Sequence, residues 1–195
     1  MTHRFVSAAL LGMAMLLAAC ASAPAPKFYT LSRTPAPGAL PSAVAVVVGP
    51  VSIPAVVDQP QIVVSSSPNQ VTIEEFNRWA SPLAGNISRV VAENLADLLG
   101  TSRVSLFQQS LNVDADFRVA IEVQTFDSVP GDAATMNAVW AVRRTRDGKT
   151  ESGRTAAREA TADKSFDALA AAHSRALSQL SQDIAAAVRT LSRAP

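Results

Sequence analysis

The chain has 195 residues, enough for one domain with its own core and too few for several large domains. The chain contains 17 Lys and Arg and 16 Asp and Glu, and the two counts are equal at 16 when Arg4 is left out. This balance leaves no positive surface of the kind that binds nucleic acid. One cysteine and two histidines exclude an intramolecular disulfide and fall short of the four ligands of a structural zinc site.

The first twenty residues have the pattern of a secretory leader. Arg4 lies near the start, and the apolar run 5–17 of about thirteen residues is too short to cross a bilayer. Leu-Ala-Ala at 17–19, directly before the only cysteine, resembles a bacterial lipobox. We therefore predict a lipoprotein signal peptide over residues 1–19 and acyl chains on Cys20 that anchor the mature protein. The alternative is that Cys20 is an ordinary small residue at the end of a leader.

The residues after the cysteine indicate which membrane holds the anchor. In Gram-negative bacteria an Asp at this position favours the inner membrane, whereas Ala21 and Ser22 follow Cys20 here. The predicted location is the periplasmic face of the outer membrane.

Residues 20–41 are predicted to be the lipidated cysteine and a proline-rich linker, followed by one domain over residues 42–195. Proline fixes φ and does not enter helix interiors, so this segment favours an extended chain. Phe28-Tyr29-Thr30-Leu31 is its one apolar patch, and we expect the patch to dock on the domain as a short edge strand. A spacer of about twenty residues extends at most roughly 65 Å, which keeps the domain near its membrane.

Several segments of the domain have strand patterns. They cover residues 43–51, 61–65, 70–73, 104–107, 117–126, 138–145 and 150–157. The first is an almost continuous β-branched run, which is typical of a strand buried on both faces and is interrupted by Gly49-Pro50. Turn residues at 66–69 and 146–149 predict two hairpins.

Two amphipathic helices complete the pattern. Ser81 as N-cap, Pro82 at the first position and Gly100 at the end delimit the first helix. Apolar residues at steps of three and four predict a second, longer helix over residues 165–191. The order of elements predicts an α+β fold: a single domain with an antiparallel or mixed β-sheet and two main helices packed on one face.

The mature chain offers few groups for catalysis. His173 is its only imidazole and lies in the apolar stripe of the last helix, where a core or interface position is expected. Glu74 and Glu75 point to opposite faces of an extended chain, and Asp114 and Asp116 lack further oxygen ligands nearby. We expect no enzymatic activity, no metal site and no cofactor.

The two tryptophans have different expected roles. Trp140 lies in the middle of a predicted strand, and we expect it in the core. Trp79 follows Arg78 directly before the first helix, and both residue types are enriched at binding hot spots. The sequence leaves open whether Trp79 belongs to the core or to an interface.

Several fragments, in this order, together resemble one family. They are residues 28–31, 46–54 (Val-Val-Val-Gly-Pro-Val-Ser-Ile-Pro), 58–63 (Asp-Gln-Pro-Gln-Ile-Val), 76–83 (Phe-Asn-Arg-Trp-Ala-Ser-Pro-Leu), the helix 87–99, Phe126-Asp127, Trp140 and the stretch 171–185. With the lipobox, they resemble the ABC-type transport auxiliary lipoproteins, which include the paraquat-inducible protein C lipoproteins.

This resemblance implies an outer-membrane lipoprotein that acts as an accessory component of an inner-membrane ABC transporter. The implied partner is a substrate-binding protein of the mammalian-cell-entry type, in a system that moves lipids between the membranes and supports envelope integrity. The resemblance also implies ring-like assembly of several copies. The residues it assigns to partner contact are Pro54, Asp58, Pro60, Arg78 and Trp79.

Three functional interpretations follow from the sequence. The favoured one is a docking module held at the outer membrane by Cys20. The alternative is a periplasmic lipid carrier in which the sheet and the last helix enclose an apolar cavity. A serine hydrolase that uses Ser174 or Ser81 with His173 is the third, although Ser174 points elsewhere around the helix than its neighbour His173.

Overall fold

The computed structural model describes residues 24–35, 39–107 and 114–195, so the predicted signal peptide and Cys20 lie outside it. The elements in chain order are β1 (Lys27–Tyr29), β2 (Val46–Ser52), a 3₁₀ turn (Ala55–Val57), β3 (Gln61–Ser67), β4 (Gln70–Trp79), α1 (Leu83–Leu99), β5 (Val104–Leu106), β6 (Phe117–Val129), β7 (Ala133–Arg144), β8 (Thr150–Ala160) and α2 (Phe166–Arg193). Among the described helices, neither is long and apolar enough to cross a membrane.

The larger of two sheets has five strands in the order β5-β2-β6-β7-β8. β2 pairs in parallel with β5 and β6, whereas β6, β7 and β8 form an antiparallel meander. The β-branched residues 46–48 are buried, as the continuous apolar run predicts for a central strand. The parallel register of β2 shifts between Val48 and Val51, so Gly49-Pro50 interrupts the pairing while the strand continues.

Both helices pack on one face of this sheet. Residues 117–123 of β6 alternate between buried and exposed, so one face of the sheet is apolar and receives the helices. α1 contacts β2 and β5, α2 contacts β7 and β8, and the two helices contact each other. The predicted α+β class, with two main helices on one face of a mixed sheet, is confirmed.

The smaller sheet has three strands in the order β1-β4-β3. β3 and β4 form the hairpin predicted from the turn residues 66–69, although β4 is longer than expected and reaches Trp79. β1 pairs in parallel with β4, with Lys27 opposite Asn77 and Tyr29 opposite Trp79. The sequence predicted one sheet, and the division into two is a finding of the structure.

The chain that follows β1 is fastened to both helices. Leu31 is fully buried, and its carbonyl oxygen accepts a hydrogen bond from Arg89 Nη2 at 2.6 Å. The Ser32 amide donates to Ser174 Oγ at 3.1 Å, and the Thr34 amide donates to Asn94 Oδ1 at 3.1 Å. The predicted docking of the apolar patch 28–31 is present, and residues 27–34 behave as part of the packed domain.

The helix ends follow the capping signals with one exception. Ser165 caps α2 by accepting the Ala168 amide at 3.1 Å, and Gly100 ends α1 with a left-handed φ of 64°. The prediction that Ser81 caps α1 is wrong by one residue. Pro82 occupies the cap position instead, because its ψ of 129° is extended and the first helical residue is Leu83.

Candidate functional site

A pocket of about 380 Å³ lies where the small sheet meets the start of α1. It is lined by Asp58, Gln59, Pro60, Trp79, Ala80, Ser81, Pro82 and Leu83. Three of these, Asp58, Pro60 and Trp79, are among the five residues that the sequence resemblance assigned to partner contact. The volume lies within the range of about 300 to 1,000 Å³ that is usual for binding pockets.

The loop that forms one wall of the pocket is held by its own backbone. The Asp58 amide donates to the Ala55 carbonyl at 3.2 Å, and the Val57 amide donates to the Pro54 carbonyl at 3.1 Å. Val57 is buried and anchors the turn in the core. The Trp79 amide then donates to the Pro60 carbonyl at 2.7 Å, which joins this wall to the end of β4.

Trp79 belongs to the core and to the pocket at once. Its side chain is only 5% exposed, and its ring meets Phe126 edge to face with centroids 6.2 Å apart. Phe126 in turn stacks on the His173 ring, with centroids 3.8 Å apart and an interplanar angle of 6°. The sequence left open whether Trp79 belongs to the core or to an interface. Its ring is buried in the core and also lines the pocket.

The other two residues assigned by resemblance lie outside the pocket wall. Arg78 pairs with Phe28 across β1 and β4, and its Nε donates to the Glu75 carbonyl at 3.0 Å. Pro54 precedes the 3₁₀ turn and accepts from Val57. The structure thus brings three of the five residues together and leaves Pro54 and Arg78 at the periphery.

Sequence reasoning also missed part of the pocket. Ser81, Pro82 and Leu83 form its third side, at the point where α1 begins. The sequence Ser81-Pro82 indicates a helix start and carries no signal that these residues line a pocket. Together the lining offers an apolar surface of indole, proline and leucine with one carboxylate, Asp58, at an exposed position. Such a lining suits a single apolar side chain of a partner together with nearby positive charge.

His173 and its surroundings are closed to solvent. Ser128 Oγ lies 2.8 Å from His173 Nε2, and both residues are buried. The Ser174 hydroxyl donates to the Ala170 carbonyl at 2.8 Å and accepts the Ser32 amide, so its contacts are structural. His173 Nδ1 has no hydrogen-bond partner among the described residues, so no carboxylate orients the ring as a catalytic base requires.

Burial lowers the pKa of the His173 imidazole to about 3 from its usual 6.5. Between these values the unfolded chain binds a proton and the folded chain does not, so stability rises with pH over this window. Lowering the pH from about 7 to about 5 is expected to reduce the free energy of unfolding by about 2 kcal/mol through this group. Urea unfolding at each pH measures the effect.

The control for this prediction is His173→Phe, which keeps a ring against Phe126 and removes the titrating group. Over the same pH interval, the free energy of unfolding of this variant is expected to fall by about 2 kcal/mol less than that of the wild type. An equal loss in both proteins would show that another group causes the pH dependence.

A second and larger pocket, of about 680 Å³, lies at the other end of the five-stranded sheet. Four of its five charged side chains are engaged in structural contacts. Asp116 Oδ2 accepts the Ala45 amide at 2.8 Å, and Arg103 donates to the Ala43 carbonyl at 2.6 Å. Arg144 binds carbonyl oxygens at the end of α2, including that of Ala194 at 2.7 Å, and lowers the pKa of Asp147 to about 2. The Arg144 contacts stabilise the end of α2.

Among residues 24–35, 39–107 and 114–195, no group of three His, Cys, Asp or Glu side chains lies close enough to hold a metal ion.

Comparisons with known proteins place these features in context. The family model described as "ABC-type transport auxiliary lipoprotein component" matches residues 29–185. A crystal structure of an uncharacterised protein aligns with a TM-score of 0.70 at 19% identity, covering 85% of this chain and 99% of that one. A Xanthomonas campestris protein of family DUF330 aligns with a TM-score of 0.68 at 22% identity, covering 86% and 100%. At these identities the two structures establish a shared fold. No curated protein matches the sequence.

Proposed function

Because the chain belongs to the ABC-type transport auxiliary lipoproteins, we propose that it docks on the periplasmic part of an inner-membrane transporter. The proposed partner is a substrate-binding protein of the mammalian-cell-entry type, in a system that moves lipids between the membranes and supports envelope integrity. The observation that supports docking is the pocket at Trp79, which gathers Asp58 and Pro60 beside it. The protein has no enzymatic role in this proposal.

The anchor in this proposal is Cys20. Acyl chains on this residue would hold the protein at the periplasmic face of the outer membrane, since each buried CH₂ contributes about 0.8 kcal/mol and one chain alone binds only marginally. The lipobox pattern before Cys20 and the absence of Asp at residues 21 and 22 support this location. The family's description as a lipoprotein agrees with such an anchor.

The construction of the pocket supports docking at this place. Its floor is a tryptophan whose position is fixed by the core and by the Pro60 carbonyl, so binding would not have to order it. Rigid aromatic residues at the centre of a patch are typical of binding hot spots. Asp58 at the rim adds a charge that favours a basic residue on the partner.

The packing of the interior favours docking over the alternative of a lipid carrier. A carrier needs an apolar cavity between the helices and the sheet. The residues that face this space from α2, namely Leu169, Leu177, Leu180 and Ile184, are fully buried in one core cluster with residues of β6 and β7. The pocket of about 680 Å³ instead includes five charged side chains in its lining, Arg103, Asp114, Asp116, Arg144 and Arg146.

Photo-crosslinking in the native envelope tests the docking proposal. A photoreactive amino acid replaces Asp58 or Ser81, which are exposed at the pocket, or Lys149 as the control in the β7–β8 turn. Adducts with the mammalian-cell-entry-type protein are expected at positions 58 and 81 and not at 149. Deletion of the transporter is expected to abolish these adducts.

Two other results would contradict the proposal. A phospholipid adduct at positions 58 and 81 without a protein adduct would favour the carrier. Equal protein adducts at all three positions would show that the pocket has no special part in the contact.

A further inference from the structure

The tether between the predicted anchor and the folded domain is short. Because β1 begins at Lys27, only the six residues 21–26 separate it from Cys20. Seven Cα–Cα steps span at most about 25 Å. The reach of about 65 Å expected for a spacer of twenty residues is thereby reduced by more than half, since residues 27–34 pack on the domain.

The direction in which this tether leaves the domain is set by the pairing of β1. β1 runs parallel to β4 with Lys27 opposite Asn77, so the chain before Lys27 leaves towards Gln70, the beginning of β4. From Asn77 to Gln70 the strand extends about 24 Å. A fully extended tether that starts at Lys27 therefore ends about as far along the direction of β4 as the β3–β4 hairpin turn.

The hairpin and β1 expose apolar side chains on their outer face. Phe28 is 62% exposed, Val71 is 49% exposed and Ile73 is 55% exposed. Thr72 and Glu74 lie opposite the core residues Val64 and Ile62. Val71 and Ile73 are two residues apart, so they share one face of the strand, and both are exposed there.

Phe28 is exposed as well, but it lies opposite Arg78, about 17 Å farther along β4 from Ile73. Its neighbour Tyr29 turns inward and packs against Phe166. We call Val71 and Ile73 the outer patch. Exposed apolar side chains grouped in this way mark interaction surfaces.

The segment that would approach a membrane has no charge. Between Asp58 and Glu74 the chain contains no Asp, Glu, Lys or Arg, and the turn itself is Ser-Ser-Pro-Asn over residues 66–69. Entry of a charged side chain into the interfacial region is costly, whereas serine, asparagine and apolar residues enter it readily.

We propose that the outer patch, with the β3–β4 turn, rests in the interfacial region of the phospholipid leaflet that holds the acyl anchor. This inference rests on the proposed function, because it requires acyl chains on Cys20. The tether brings the hairpin to the membrane, and the apolar side chains of the outer patch then orient the domain on it. The bilayer surface is the occupant because a tether of at most about 25 Å keeps that surface within reach of the hairpin turn.

One consequence connects the outer patch with the docking pocket. Trp79 lies at the opposite end of β4, nine residues from Gln70, or about 30 Å along the strand. A domain that rests on the hairpin turn therefore presents the Trp79 pocket away from the membrane, towards the periplasm. A partner that extends from the inner membrane would meet the pocket in this orientation.

Site-specific fluorescence on the lipidated full chain tests the inference. Cys20 is the only cysteine, and acylation occupies its sulfur, so Ile73→Cys introduces the one free thiol for an environment-sensitive dye. The matched control is Ser152→Cys, an exposed position on β8 of the large sheet. Both proteins are reconstituted into vesicles of phosphatidylethanolamine and phosphatidylglycerol.

The dye at position 73 is expected to shift its emission to the blue, to lose intensity with nitroxide-labelled lipids and to resist quenching by iodide. The dye at position 152 is expected to show none of these changes. A second probe at Val71→Cys is expected to behave like the probe at position 73. Since Val71 is 49% and Ile73 55% exposed, these substitutions should leave the fold intact.

Each other outcome has a distinct meaning. If the protein floats with the vesicles while position 73 behaves like position 152, the inference is overturned and the anchor stands. Protection from iodide without quenching by labelled lipids would identify a protein interface and overturn it as well. If the wild-type chain does not float with vesicles, the proposed anchoring itself fails and this inference fails with it.

Discussion

Replacement of Gly153 with alanine is expected to lower the free energy of unfolding by about 3 kcal/mol, because the new methyl group would overlap a buried ring. A Cβ atom at this position would lie 2.4 Å from Cζ2 of Trp140 and 2.9 Å from its Cη2. Gly153 lies directly opposite Trp140 in the β7–β8 pairing. Its φ does not lie in the left-handed region, so the expected effect comes from the overlap and not from backbone strain.

The Trp140 ring cannot move aside without loss of its hydrogen bond. Its Nε1 donates to Thr155 Oγ1 at 3.1 Å, and the Thr155 hydroxyl donates to Asp183 Oδ2 at 2.5 Å. This chain of contacts links β7, β8 and α2. A shift of the indole would leave a buried donor unsatisfied, which costs about 1 to 3 kcal/mol.

Urea unfolding of four variants, namely Gly153→Ala, Gly85→Ala, Trp140→Leu and the double variant, separates this steric effect from a general effect of glycine. Gly85→Ala in α1 is the control, since a Cβ there meets nothing within 4 Å; it is expected to stabilise the protein by up to about 1 kcal/mol. The double variant Trp140→Leu with Gly153→Ala is expected to lose less free energy of unfolding than the sum of the losses of its two single variants. Additive losses would show that the two residues are not coupled.

The helices and most strands could be predicted because their signals are local. The apolar stripe of α2, the Gly100 terminus and the alternation of β6 each depend on residues a few positions apart. The division into two sheets depends on contacts between distant residues. β1 finds its partner fifty positions later, at Lys27 and Asn77, and no local pattern encodes that pairing.

The candidate site was predictable only in part, because it too depends on contacts between residues that are distant in the sequence. Resemblance identified Asp58, Pro60 and Trp79, but the pocket exists because the Trp79 amide reaches the Pro60 carbonyl across the chain. Leu83 also joins the lining, as the first residue of α1, which begins one residue later than the capping signal indicated. The buried contact between Trp79 and Phe126 likewise joins β4 to β6 and has no local signal.

Trp79→Ala is expected to lower the free energy of unfolding by about 4 kcal/mol, which is typical for truncation of a buried large aromatic residue. The variant would lose the edge-to-face contact with Phe126 and leave a cavity next to the stacked pair of Phe126 and His173. Urea unfolding measures this loss. Trp79→Phe retains an aromatic ring against Phe126, so its free energy of unfolding is expected to fall less than that of Trp79→Ala. Equal stability of Trp79→Ala and wild type would contradict the core position of this ring.

Because Trp79→Ala affects folding, it cannot by itself show that the pocket binds a partner. Ser81→Phe can, since Ser81 is exposed and a larger side chain there would occupy the pocket without entering the core. We expect this variant to unfold at the wild-type urea concentration and to lose the crosslink from a photoreactive residue at position 58. Ser152→Phe on β8 is the control that should retain the crosslink. A crosslink that persists in Ser81→Phe would separate docking from the pocket and leave Trp79 with a structural role alone.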